Sequence, residues 1–296
     1  MKKKSTCYYI GDKTSAKDIY GEGLFPDLED LFDCWTNSPK LSIKNTDYLP
    51  VYAEVLGKLR GTACTIIEVG VLDGGSLFMW RSWLGEKARI IGVDLNPQAN
   101  QWKDHGFEIF IGDQSDPKFW AGVYRDVRDF DAVIDDGGHE SFQQIVTVLM
   151  ALHFASKKSV ILIEDTQTSL MKSFSSHGEY SFLQYAKDAS DILNARHKAE
   201  RDGEFPGPVN KKALKIFQNV NSIQFYAGIV CFKVDPTLIN RGYSIRNIAS
   251  EAENKDFRHH GYRAAMVNWP LAFEEKEVCV AGKSQEDIIK MLSDKG

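Results

Sequence analysis

The sequence predicts an α/β protein built on a doubly wound, mainly parallel sheet with an antiparallel edge pair. Three observations predict it. Strand-like and helix-like segments alternate from about Leu49 to Val234, the order that a parallel sheet with crossover helices requires. The strand-like segments are near-continuous apolar runs, as in strands covered on both faces. Acids gather where several of these runs end, and in an open α/β sheet the ligand crevice lies beyond the carboxyl ends of the strands.

In chain order, Tyr48 to Leu59 carries Leu49, Val51, Tyr52, Val55, Leu56 and Leu59 at helical spacing, with Gly61 as the stop signal. The first strand runs from Cys64 to Val69. A helix with Leu77, Phe78, Trp80 and Trp83 follows the turn L-D-G-G-S and leads to Gly85. The second strand, Ala88 to Val93, ends in Asp94 and completes a βαβ unit. Phe107 to Ile111 is the third strand, Phe130 to Ile134 the fourth and Ser159 to Ile163 the fifth, with a helix from Phe142 to Phe154 between the last two. Two β-rich runs around Ala227-Gly228 form the edge pair. The polar stretch Thr166 to Val220, with a helix expected from Phe182 to Arg201, is either a lid over the crevice or a surface excursion. The expected division is an N-terminal extension (1–47), a main domain (48–235) containing the insert (166–220), and a C-terminal extension (236–296).

Composition narrows the function classes. With 36 basic and 41 acidic residues among 296, the formal charge is −5, which argues against broad polyanion binding and so against a nucleic-acid partner. A content of 43% hydrophobic and 26% charged residues suits one sizeable core. Cys7, Cys34, Cys64, Cys231 and Cys279 are scattered and lack C-x-x-C spacing, so neither a disulfide framework nor a zinc knuckle is expected, and a reducing cytoplasm fits. No apolar stretch reads as a signal peptide or a transmembrane segment. Tyr8, Tyr9, Trp35 and Trp269, outside the core segments, either stack on a sugar or pack between subunits of a homo-oligomer.

The chemistry sits at the strand ends. Asp135-Asp136-Gly137-Gly138-His139 follows the fourth run, and Glu164-Asp165 follows the fifth. Neighbouring strands would bring Asp136, Glu164 and Asp165 together, where three carboxylates repel one another unless a cation neutralises them. All-oxygen donors suit Mg²⁺, Mn²⁺ or Ca²⁺; the bland alternative is that each acid caps the helix after it. In the turn Glu68 to Ser76, glycines let a ligand approach the backbone, and Asp94 can bind both ribose hydroxyls. Glycines at 70, 74 and 75 do not make G-x-G-x-x-G, and no G-K-[ST] follows, so a pyrophosphate ligand is disfavoured. Asp113 is placed to meet an adenine amino group, so three successive strand ends present what an adenosine needs. His139 lies one helical turn past a metal-binding Asp and is suited to accept a proton near neutral pH, or else is a helix-start histidine bonded to the backbone.

These stretches resemble the class I S-adenosylmethionine-dependent methyltransferases, whose fold is Rossmann-like. Within that class they are similar to the metal-dependent sugar O-methyltransferases of macrolide and aminocoumarin biosynthesis. The likeness runs from about Tyr48 to Val234, through I-I-E-V-G-V-L-D-G-G-S, I-I-G-V-D-L, V-I-D-D-G-G-H, V-I-L-I-E-D-T-Q-T-S and F-Y-A-G-I-V-C-F-K-V. The resemblance implies that Glu68, Gly70 and Gly74 shape the methionine end of an S-adenosylmethionine pocket that also includes Ser76 and Asp135. Asp94 would hold the ribose and Asp113 would face the adenine. Asp136, Glu164 and Asp165 would hold the divalent cation, with Mg²⁺ foremost. His139 falls on the position of the catalytic base, with Asp136 beside it. The implied reaction is methyl transfer to a hydroxyl of a small-molecule or glycan acceptor, preferably one of a vicinal pair. Three departures mark the acceptor side: Gln167 takes a histidine's place, K-N-T-D-Y replaces T-D-K-G, and Ala227 stands where an acid is common. The acceptor is therefore expected to differ from a macrolide sugar. Two other classes stay open: a dinucleotide-dependent oxidoreductase, which the glycine spacing disfavours, and a non-catalytic binding module, which the intact Asp136, His139, Glu164 and Asp165 disfavour.

Overall fold

The computed structural model describes residues 14–23, 26–174, 180–194, 215–237, 279–280 and 283–284. The apolar runs form five parallel strands: β1 (Thr65–Val69), β2 (Arg89–Asp94), β3 (Glu108–Ile111), β4 (Ala132–Asp135) and β5 (Ser159–Ile163). Four of them begin one or two residues later than expected, and β4 continues through Asp135. β1, β4 and β5 are buried along their whole length, which is why their sequences show no polar alternation. The edge pair is β6 (Val220–Tyr226) and β7 (Ile229–Val234), with Gly228 in left-handed backbone at their turn; β7 pairs antiparallel with β5.

Helices cover both faces. Ahead of the first strand come α1 (Ala16–Tyr20), α2 (Pro26–Thr36) and α3 (Tyr48–Leu56), the last continuing into a single 3₁₀ turn, Gly57–Leu59. Then follow α4 (Gly75–Leu84), α5 (Pro117–Val127), α6 (Ser141–Phe154) and α7 (Phe182–Asn194). Successive strand residues point to opposite faces. Ile66, Ile90 and Leu162 thus meet Leu31, Phe32, Tyr52 and Trp80 of α2, α3 and α4, while Ile67, Ile91 and Ile161 meet Trp120, Val148 and Phe182 of α5, α6 and α7. α2, which the sequence places in an extension, shares the core of the main domain. The expected helix beyond Asn194, much of the insert and most of the C-terminal extension lie outside the described residues; within that extension, Cys279–Val280 and Lys283–Ser284 form a short antiparallel pair. No described helix is long and apolar enough to cross a membrane.

The sheet order is β3-β2-β1-β4-β5-β7-β6. After β1 the chain builds outward on one side through β2 and β3, then returns to place β4 on the other. This reversal opens a crevice beyond the carboxyl ends of β1 and β4, the standard ligand position in such sheets.

Candidate active site at the strand ends

The turn after β1 is held from within. Asp94, at the end of β2, accepts from Val71 N at 2.8 Å and Leu72 N at 3.2 Å through Oδ2, and from Asn96 N at 2.7 Å through Oδ1. A Cβ on Gly70, whose φ is 87°, would overlap the Asp136 carbonyl oxygen; on Gly74 it would lie 2.7 Å from the Trp102 ring; on Gly75 it would overlap the Leu41 carbonyl. The side-chain directions of these glycines therefore face protein, so close internal packing requires them. Glu68 is fully buried and accepts from Ser76 Oγ at 2.8 Å and Trp80 Nε1 at 3.1 Å. Burial pushes its carboxyl up to about 7, with Lys44, Ser76 and Trp80 opposing the rise.

Asp113 is exposed and accepts from Ser115 N at 2.8 Å. Its neighbour Gln114, unremarked in the sequence, is buried and ties two parts of the next turn together. Its amide nitrogen donates to the Asp135 carboxylate at 3.1 and 3.2 Å, and its oxygen accepts from Gly138 N at 2.9 Å. Asp135 also accepts from Gly137 N at 3.1 Å, and burial raises its pKa. The buried Asp135 thus fixes the loop that presents Asp136 and His139.

Asp136, His139 and Asp165 present ligand atoms within 4.8 Å of one another. His139 Nε2 stands 3.5 Å from Asp165 Oδ2, and its ring meets Phe174 edge-on at 6.3 Å. Both His139 (φ 60°) and Asp165 (φ 53°) have left-handed backbone. Tyr48, at the start of α3, donates to Asp165 Oδ1 at 2.7 Å while its oxygen accepts from Asp165 N at 3.1 Å. Gln167 Nε2 donates to the same Oδ1 at 2.7 Å.

Glu164 is also here, fully buried, but it faces a side chain absent from the expected set. Lys44 Nζ lies 2.6 Å from Asp136 Oδ2 and 3.0 and 3.2 Å from the two Glu164 oxygens. Burial lowers the Lys44 pKa, but Asp136, Glu164 and Glu68 together raise it further, so the ammonium stays charged. One ammonium serves two carboxylates, and burial, followed by the Asp136 charge, pushes the Glu164 carboxyl well above its ordinary range. The stretch K-N-T-D-Y stood out as a departure, yet nothing local in it signals a contact with Asp136, 92 positions away.

Comparison with known proteins bears on the fold. The structure of MycE, a methyltransferase from the mycinamycin biosynthetic pathway in complex with Mg, SAH and mycinamycin VI, superposes with a TM-score of 0.60 at 21% identity, covering 79% of this chain and 58% of that one. The chain shares the fold of that methyltransferase. Two curated proteins are similar in sequence: the 8-demethyl-8-alpha-L-rhamnosyl tetracenomycin-C 2'-O-methyltransferase of Streptomyces olivaceus and the mycinamicin VI 2''-O-methyltransferase of Micromonospora griseorubida. The first is 23% identical over 62% of this chain and 48% of its own length, the second 25% identical over 69% and 51%. The chain thus spans about half the length of the curated relatives it matches. No family model matches the sequence.

Proposed function

We propose that the chain is an S-adenosylmethionine-dependent O-methyltransferase that uses a divalent cation to methylate a hydroxyl of a sugar, carried on a polysaccharide, glycolipid or glycosylated secondary metabolite. The observation that carries this reading is the gathering of Asp136, His139 and Asp165 at the switch-point crevice of a methyltransferase fold whose relatives are sugar O-methyltransferases. With Asp136, Glu164 and Asp165 all ionised, three carboxylates against the Lys44 ammonium would leave two negative charges, the complement of a divalent ion. Asp136 and Asp165, with Glu164 behind them, would hold that ion, and their oxygen donors fit Mg²⁺. Bound there, the cation supplies a lowered pKa for the acceptor hydroxyl and a fixed direction for its lone pair.

The chain's own groups do the rest. His139 Nε2 takes the hydroxyl proton as the methyl carbon leaves the sulfonium sulfur for the acceptor oxygen, and Asp165 Oδ2 stabilises the imidazolium. Leu72 and Leu95, each 70% exposed beyond the ends of β1 and β2, offer apolar surface to an adenine ring, with Asp94 and Asp113 for ribose and adenine polar atoms. Calorimetric titration with S-adenosylhomocysteine and with NAD tests the reading. Micromolar binding of the former and none of the latter is the expected result; binding of NAD alone would make the chain an oxidoreductase.

A further inference from the structure

The carboxylate cluster already contains a cation. The Lys44 side chain is only 2% exposed, is bonded to Asp136 and to both Glu164 oxygens, and lies 5.7 Å from the Tyr52 ring centroid. Its position is built, because the segment leading to it crosses the start of α4 on several anchors. Ser38 Oγ donates to Gly75 O at 2.7 Å, Lys40 Nζ stands 5.3 Å from the centre of the Trp102 ring, and the Leu41 carbonyl fits where Gly75 has no side chain.

We propose that Lys44 is a tethered counter-ion that competes with the divalent cation for Asp136 and Glu164, so that the protein folds without metal and binds it weakly and exchangeably. This rests on reading the cluster as a metal site. An ammonium and a divalent ion drawn to the same carboxylates repel each other, so the metal must either displace Lys44 or bind beside it with Glu164 still engaged. The converse also holds. Without Lys44, Glu164 is a buried acid that has lost its ammonium partner, a destabilised state that a metal ion relieves.

Mn²⁺ binding to the full chain, measured by calorimetry and by the paramagnetic signal of the free ion, tests this alongside melting temperatures with and without Mn²⁺. In Lys44→Met, Mn²⁺ should bind about tenfold tighter or more than in the wild type. The metal-free variant should melt lower, and Mn²⁺ should raise its melting temperature more than it raises that of the wild type. Folding of the variant only when Mn²⁺ is present would carry the same meaning. Equal Mn²⁺ affinities and equal thermal shifts in the two proteins would overturn the proposal while leaving the metal site intact. Binding to neither protein would overturn the metal reading itself, and the inference with it. Should Lys44→Met fail to fold under any condition, Lys44→Gln, which keeps a donor for Glu164 without the charge, carries the same expectations.

Discussion

His139 and Asp165 hold backbone conformations that residues with a Cβ seldom adopt, and strain of this kind persists only where the surroundings impose it. Here the surroundings are identifiable. Thr168 Oγ1 lies within hydrogen-bonding distance of the His139 and Asp165 carbonyls, at 2.8 and 2.7 Å, and Tyr48 grips both the amide and the carboxylate of Asp165. The sequence displays the acids and the histidine plainly, because charged groups at the ends of apolar runs stand out. It does not display their supports, since a tyrosine or threonine in an amphipathic context looks like packing. Glu68 yields a prediction at this scale. Its pKa rises from 4.5 to about 7 on folding, so within that window the folded protein keeps a proton the unfolded chain has released. The acid therefore lowers stability progressively as pH rises from about 4.5 to 7, by up to about 3 kcal/mol, and has no such effect below that range. Glu68→Gln abolishes this contribution. Urea midpoints at pH 5 and pH 8 should fall less with rising pH for the variant than for the wild type; parallel profiles would refute the shift.

Among the elements, the strands were the most legible part of the fold. β1, β4 and β5 are covered on both faces, and such strands have a composition that no exposed segment shares. α5 was not anticipated although its start is clearly signalled: Asp116 Oδ1 accepts from Lys118 N at 2.9 Å and Pro117 occupies the first helical position. α2 went unread because its apolar residues pack on α3 and α4, partners that sequence alone does not supply. The glycines of the first turn, expected to let a ligand approach the backbone, also admit neighbouring protein where a side chain would stand. Gly70 shows the consequence. It holds φ 87° where β1 runs out beside the Asp136 carbonyl. Gly70→Ala combines left-handed strain with overlap against backbone that cannot rotate away. Destabilisation by about 3 kcal/mol or more is expected, with loss of S-adenosylhomocysteine binding. Denaturant unfolding checks the first effect and calorimetry the second; an unchanged midpoint would show that β1 and β4 can separate freely.

Across the whole molecule, the site is assembled by topology from segments far apart in sequence. Asp136 and Glu164 come from adjacent parallel strands, which a βαβ reading anticipates, but Lys44 arrives from 92 and 120 positions away along a segment without repeating pattern. For that reason the N-terminal part, read from sequence as an extension, makes a structural claim that truncation can test. Leu28, Leu31 and Phe32 are almost wholly buried against α3 and α4. Each contributes about 1.5–3 kcal/mol of burial, so their loss together rivals the roughly 5–15 kcal/mol by which a folded domain exceeds its unfolded chain. Removing residues 1–44 also leaves Glu164 without the Lys44 ammonium, a second penalty located at the site rather than in the core. The truncated chain should therefore show no cooperative thermal transition by near-ultraviolet circular dichroism and should bind a hydrophobic dye. Adding Mn²⁺ should not restore it, because a metal can answer the missing charge but not the missing apolar face. A truncated chain that melts cooperatively within a few degrees of the full one would make α2 an appendage, and would show that neither its apolar face nor the Lys44 ammonium stabilises the fold.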